Sequence, residues 1–288
     1  MSPMTSIWII YRAWEKWGEN GGTRHGAALA YYAIFSVAPL LLLAIYISGA
    51  IFGDDAAKGE VNKQLNAMMP EKVAMNVETM VKYASEPQSS WAPTISMVML
   101  VIAALGAFLH VRNTLCIIWK LDPPEGKTWL GMAWDYLLSI LMVFLIATLL
   151  LFSLVCSLIV PYLQRKMEER GIHEKHYYHW IEIGISFFLL TILFSVVYRI
   201  LSGGRIEWGY VWYGSFISAV LFTLGKSLFG FYVIYSDPES MYGAAGSVIV
   251  FLMWVYYSSQ VLFFGAELIQ ARRTRHEWLY GESAEAQG

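Results

Sequence analysis

Residues 136–163 read YLLSILMVFLIATLLLFSLVCSLIVPYL, an apolar run without one charged residue. A helix rises 1.5 Å per residue, so about 20 residues cross the ~30 Å hydrocarbon core of a bilayer. This run exceeds that length. A buried helix of a soluble protein is shorter and carries a polar stripe, so the stretch predicts a transmembrane helix. Outward from it, five more runs of the same kind appear, at about 27–51, 92–118, 181–202, 209–235 and 241–271. They are continuous rather than alternating, which excludes barrel strands. Composition agrees: 57% of the 288 residues are hydrophobic and 15% charged, where a soluble domain carries roughly 25% charged. The mean hydropathy is +0.48. The fold class expected is an all-α integral membrane protein, with six transmembrane helices, an outer amphipathic helical loop and an N-terminal interfacial helix. A net charge of −2 provides no global basic field for nucleic acid.

Three regions follow from this pattern. Residues 1–26 form a cytoplasmic amphipathic segment, 27–271 the six-span bundle with an outer helical loop at 52–91, and 272–288 a cytoplasmic tail. The first 26 residues lack the compact apolar run and small-residue site of a cleavable signal. Instead Ile7, Ile10, Trp14 and Trp17 share a helical face, with Arg12, Glu15, Lys16 and Glu19 elsewhere, the pattern of a helix lying in the headgroup layer. Lys and Arg number eleven on the side of the termini and eight on the other. That excess, and the Arg272, Arg273, Arg275 group after the last span, put both termini in the cytoplasm. In the outer loop Val73, Val77, Met80, Val81 and Ala84 follow helical spacing. That helix either lies on the outer interface or caps the bundle. No internal repeat stands out, so an inverted-repeat transporter is not indicated.

Ionisable groups in hydrocarbon cost about 2.5–3.5 kcal/mol near a helix centre on insertion scales, so each one asks for a reason. Lys226, Arg112, Arg199 and Glu267 are the candidates for a polar pathway. From the span centres, Arg112 lies about 10 Å, Arg199 about 12 Å and Glu267 about 16 Å to the inner side, and Lys226 roughly 5 Å to the outer side. Lys226 is thus too far in height to meet Glu267, whereas Arg112 or Arg199 is within its reach. Two readings stay open. The polar groups line an inner vestibule with Lys226 deeper in a path for an anionic group, or the arginines extend to the headgroups while Glu267 pairs with one of them. Pro39 in the first span, Gly225 and Gly230 beside Lys226, and Gly243 and Gly246 in the last span are candidate hinge or packing positions. Gly214 and Ser218 form a small-xxx-small face.

Catalytic patterns are not found. His173, Glu174, His176 and His179 lack the zincin spacing and read as a wet interfacial loop, so no metal site is expected. Cys116 and Cys156 lie at different depths, against a disulfide. There is no Walker A, dinucleotide fingerprint or nucleophile elbow, and no carboxylate cluster for two-metal hydrolysis. Neither a cofactor nor enzymatic activity is expected.

Several segments, in order, resemble the YihY/BrkB family of bacterial inner-membrane proteins: Arg24 to Leu41 in the first span; Tyr198-Arg199, Arg205, Trp208 and Gly214 at the fourth-to-fifth junction; Lys226-Ser-Leu-Phe-Gly230-Phe-Tyr232; and Tyr242-Gly243-Ala-Ala-Gly246 followed by Trp254, Tyr256, Gly265, Ala266 and Glu267. The resemblance implies six helices and an inner-membrane address with both termini cytoplasmic. Its members have carried the labels ribonuclease BN and virulence factor, and some are linked to transfer of envelope lipids. The residues offer no support for a nuclease. Two function classes remain: a flippase-like transporter of lipid or amphiphilic anions, and a non-transporting envelope scaffold. The partners expected are membrane lipids, with a second copy of the chain or an envelope protein as further partner, and no nucleic acid.

Overall fold

The computed structural model describes residues 3–35, 70–77, 92–121, 175–236 and 245–285. The described residues are helical and contain no strand. In chain order the helices are α1 (Pro3–Glu19), α2 (22–35), α3 (71–77), α4 (Ala92–Ile118), α5 (Lys175–Leu201), α6 (Trp208–Ser236) and α7 (Ala245–Glu285). Three are long and apolar enough to cross a membrane, over Gly184–Leu201, Trp208–Ser236 and Gly246–Arg275, and α4 adds a shorter apolar stretch at Gly106–Ile118. These fall on the second, fourth, fifth and sixth expected spans. The expected span 136–163, Pro39 and the rest of the first span, Gly243, and most of the loop 52–91 lie outside the described residues.

The helix ends follow local chemistry. Gly203 and Gly204 have φ of 61° and 75°, a left-handed conformation that glycine adopts without steric cost. The Gly204 amide donates to the Arg199 carbonyl at 3.1 Å, which ends α5 and leaves a short turn before α6. At the end of α4 Lys120 takes the left-handed position (φ 51°), and the Leu121 amide reaches back to the Cys116 carbonyl at 3.0 Å. Gly21 (φ 69°) forms the elbow between α1 and α2.

The hub is α7, which contacts α1, α4 and α6, while α5 packs on α6. The main core joins Leu115 and Trp119 of α4, Phe194 and Tyr198 of α5, Val211 and Ala219 of α6, and Phe263 and Ile269 of α7. A second core, toward the opposite end, gathers Val73 and Val77 of α3 with Val233, Val250, Phe251 and Trp254. Both α3 valines are fully buried, so this part of the expected loop helix packs on α6 and α7. Its continuation through Met80, Val81 and Ala84 is outside the described residues.

Two differences from the sequence reading have physical causes, and α1 adds a detail that the sequence reading did not contain. The helix α5 starts at Lys175, so His176 and His179, read as loop, belong to its first two turns. The helix α7 does not stop with the apolar run but continues through Glu285, so most of the expected tail is helical; hydropathy ends at the charged residues while the backbone hydrogen bonds do not. In α1 the bundle-facing residues are Ile9 and Ala13, against Leu268 and Ala271. The face expected to anchor the helix is the outward one: Ile7 and Trp14 are 68% and 61% exposed. A helix of a membrane protein can be apolar on both sides, one toward its neighbour and one toward lipid.

The α6–α7 crossing rests on small residues. A methyl group at Gly265 would overlap the Ser218 and Tyr198 hydroxyls, and one at Gly214 would overlap Ile269. Gly184, by contrast, has nothing within 4 Å of a built Cβ. Gly265→Ala should therefore destabilise the protein by about 1–3 kcal/mol, the usual cost of overpacking, while Gly184→Ala leaves stability nearly unchanged. Unfolding of the purified variants in mixed micelles checks this; equal midpoints for the two would show that the crossing is not tight.

Candidate functional site

Polar side chains collect at the end of the bundle where α1 turns into α2. Asn20 is the last residue before the Gly21 elbow, so its side chain projects from the end of α1 onto α7. Its Nδ2 donates to Glu267 Oε1 at 2.6 Å. Glu267 is only 2% exposed, and a buried carboxyl group needs such a partner. Just beyond the elbow, His25 Nδ1 lies 3.1 Å from Thr114 Oγ1, and His110 Nε2 lies 3.0 Å from the His25 carbonyl. The two imidazole centroids are 5.3 Å apart, and the Phe263 ring meets His25 edge-on. Deeper along α7, Gln260 rests on Gly26, where a Cβ would collide with its amide. Both polar atoms of the Gln260 amide are buried and have no hydrogen-bond partner among the described residues, and the same holds for Trp17 Nε1, which covers Gly22. Gly22 and Gly26 stand one turn apart, and their bare face admits Trp17 and Gln260.

Side-chain donors also tie the other helices to the carbonyls of α7. Trp119 Nε1 donates to the Ala266 carbonyl at 3.1 Å. The Tyr198 hydroxyl donates to the Leu262 carbonyl at 2.8 Å and takes the Ser218 hydroxyl, 2.9 Å away, as its own donor.

Apart from Pro39 and Gly243, which lie outside the described residues, the sequence-predicted residues can each be placed. Arg199 donates to the Ile206 carbonyl, and its guanidinium lies 5.4 Å over the Trp208 ring, so it bridges the α5–α6 turn. Helical height left a pair of Glu267 with Arg112 or Arg199 open; the hydrogen bond that Glu267 receives in the structure comes from Asn20. The helical height of the arginines was compatible with a pair, but Arg199 turns to the chain end that follows it, and Asn20 arrives from 247 residues away. Arg112 is partly buried on α4. Lys226 is partly buried on α6, on a different helix from every member of the elbow cluster. Gly225 is a packing position, because the Tyr257 ring covers it and the Tyr257 hydroxyl donates to the Leu221 carbonyl at 2.7 Å. Gly230 has Pro70 at an ordinary 3.8 Å, and Gly246 is buried at the start of α7.

Asn20, His25, Thr114 and Gln260 were not singled out from the sequence. The available signal was the run Asn20-Gly21-Gly22 with Gly26 four residues on, which marks an elbow followed by a bare helix face. Outside the spans, two titratable groups are displaced. The hydrogen bond from Lys16 holds the exposed Glu19 carboxyl below its ordinary range. Burial, with the His110 and Arg24 charges, pushes His25 down. Among the described residues no group of three or more His, Cys, Asp or Glu could hold a metal ion.

If the Asn20–Glu267 bond holds α1 to the bundle, Asn20→Ala should lower stability by about 1–3 kcal/mol, the cost of leaving a buried acceptor unpaired. Glu267→Leu in the Asn20→Leu background should recover most of that loss. Chemical unfolding in micelles measures both. A neutral Asn20→Ala would show that the bond contributes nothing.

Comparison with known proteins agrees with this architecture. The family profile described as "Virulence factor BrkB" matches residues 13–287. A UPF0761 membrane protein of Haemophilus influenzae is 24% identical over 265 residues, covering 88% of this chain and 91% of that protein. Similar proteins from Alcanivorax borkumensis and Legionella pneumophila, also called UPF0761 membrane proteins, are 24% and 25% identical over 89% of this chain. The chain spans 58% and 60% of the length of those two relatives. No solved structure matches. The chain belongs to the BrkB family of membrane proteins.

Proposed function

We propose that this BrkB-family membrane protein is a flippase-like transporter of lipids or amphiphilic anions, resident in the inner membrane with both termini in the cytoplasm and carrying no enzymatic chemistry. The observation that carries the reading is Lys226. It lies partly buried within a 29-residue helix of apolar character, well away from either end. An ammonium there is costly unless it faces protein or a water-filled path. A lysine in that position attracts a phosphorylated headgroup as a point charge. The buried amide of Gln260, without a hydrogen-bond partner among the described residues, supports polar access into the bundle from the α1 end. Basic groups at that end, among them Arg24, Arg205, Arg272 and Arg273, suit the cytoplasmic leaflet.

A second reading, a scaffold that organises envelope proteins or a second copy of the chain, draws on one observation. The helix α7 extends through Glu285, well past the apolar run. A rigid helical projection of that kind can seat a partner. On this reading the helix beyond Arg275 matters and Lys226 does not.

Headgroup-resolved lipid translocation in proteoliposomes decides between them. Lys226→Ala should abolish translocation with expression and insertion intact, Lys226→Arg should retain part of it, and truncation after Arg275 should leave it unchanged. Undiminished translocation by Lys226→Ala would remove Lys226 from the path. Absence of translocation by the wild type over a broad lipid panel would shift the weight to the scaffold.

A further inference from the structure

Arg272 and Arg275 stand three residues apart on α7, so they share one side of the helix, with Cβ atoms about 5–6 Å apart. Each guanidinium lies over an aromatic ring of a different helix. Arg272 Cζ is 4.4 Å from the centroid of the Tyr213 ring of α6, and Arg275 Cζ is 5.3 Å from that of the Trp8 ring of α1. Arg272 Nη1 also donates to the Gly209 carbonyl at 3.3 Å. A ring and a carbonyl orient a guanidinium without neutralising it. Stacking occupies the face of the guanidinium, and its N–H groups point outward in the plane, as a phosphate requires.

The acidic side chains around Arg272 are engaged elsewhere. On α1, Glu15 pairs with Arg12 and Glu19 with Lys16. On α7, Glu267 is buried and takes the Asn20 amide. Glu207, exposed before the start of α6, makes no ion pair among the described residues. The charge of Arg272 is therefore left for a ligand. Beside it α1 turns an apolar stripe outward. Ile7, Ile10, Tyr11 and Trp14 are all exposed, at the i, i+3, i+4, i+7 spacing of one helix face. The stripe begins next to Trp8 and ends at Trp14, whose ring meets that of Phe264 edge-on with centroids 6.4 Å apart. Phe264 precedes Arg272 by about 12 Å along α7.

We infer that the junction of α1, α6 and α7 is a fixed site for one anionic phospholipid of the leaflet on the side of the termini. Its phosphate sits on Arg272 and Arg275, and its chains follow the outward face of α1 toward Phe264. Charge complementarity selects the head: a zwitterionic head would bring its own cation against the arginines, and an anionic one does not. The two guanidiniums are already oriented by Tyr213 and Trp8, which lowers the entropy lost on binding. The bound lipid ties α1 to the ends of α6 and α7. The site rests on the membrane-spanning architecture and not on the transport reading. Lys226 is about 20 Å further along α6 than Tyr213 and is no part of it.

Native mass spectrometry of the full chain, titrated in micelles with dioleoylphosphatidylglycerol or dioleoylphosphatidylcholine, tests the site. The wild type should retain one phosphatidylglycerol under activation that strips phosphatidylcholine. Arg272→Gln and Arg275→Gln should each weaken phosphatidylglycerol binding about fivefold. Tyr213→Phe, which keeps the ring, should bind as the wild type does, and Tyr213→Leu more weakly. Lys120→Gln, which removes an exposed cation at the end of α4, and Lys226→Ala should both leave binding unchanged. Equal retention of the two lipids by the wild type would overturn the site. An equal loss in Lys120→Gln would reduce it to surface charge, and a loss in Lys226→Ala would move the lipid to the transport path; either result overturns it. A dimer mass that persists without lipid would give the face to a second copy of the chain instead. Should an arginine variant fail to insert, the Tyr213 pair still decides, since equal binding by Tyr213→Phe and Tyr213→Leu removes the stacked arrangement.

Discussion

A helix in hydrocarbon has satisfied its backbone hydrogen bonds internally, and there is no water to expel from between two such helices. What holds them together is close approach and a small number of polar side chains. In this protein both devices converge on α7. Gly265 lets the Ser218 and Tyr198 hydroxyls come against its backbone. Trp119 and Tyr198 each donate to an α7 carbonyl, at Ala266 and Leu262. Those carbonyls already accept within the helix, and their second lone pair takes the side chain. The other helices are arranged around the face of α7 that permits this.

The same constraint shapes the elbow between α1 and α2. Gly21 allows the reversal, and Gly22 and Gly26 leave the face of α2 bare enough for Trp17 and Gln260 to lie on it. A close approach of this kind brings polar atoms into places without water. Some find partners, as Asn20 does with Glu267. Others, such as the Gln260 amide, do not find one among the described residues. In a soluble core an unpaired amide is a cost to be avoided; in a span bundle it is also a foothold for a polar ligand or a water. The amphipathic helix α1 shows a related economy: Ile9 and Ala13 face the bundle, and Ile7 and Trp14 face outward.

Particular residues show how far the sequence is legible. The span at 209–235 matches α6 (Trp208–Ser236) to within one residue at each end, and 181–202 matches the end of α5 at Leu201, because apolar length is summed along the chain and needs no knowledge of neighbours; the start of α5 at Lys175 and the continuation of α7 through Glu285 lie in charged sequence that hydropathy does not count. The small-xxx-small face of Gly214 and Ser218 was legible for the same reason, since residues four apart stack on one helix side. The Glu267 partner was not. Height along the membrane normal is computable from residue number, but rotation about the helix axis and the identity of the neighbouring helix are not, and an error of one residue turns a side chain by 100°. Height alone allowed Arg112 or Arg199; Asn20, 247 residues distant, was the partner.

The sequence by itself therefore determined the solvent of this protein, its helical class, the family resemblance and the places of the long apolar helices α5, α6 and α7, because each depends on local composition and on backbone chemistry within a few residues. Only the tertiary structure decided that Gly225 lies under Tyr257, that Arg199 closes a turn over Trp208, that the exposed face of α1 is the one rich in isoleucine and tryptophan, and that two histidines from α2 and α4 meet. Those facts depend on which helices touch and at what rotation, a choice made by many weak contacts at once and not by any one segment.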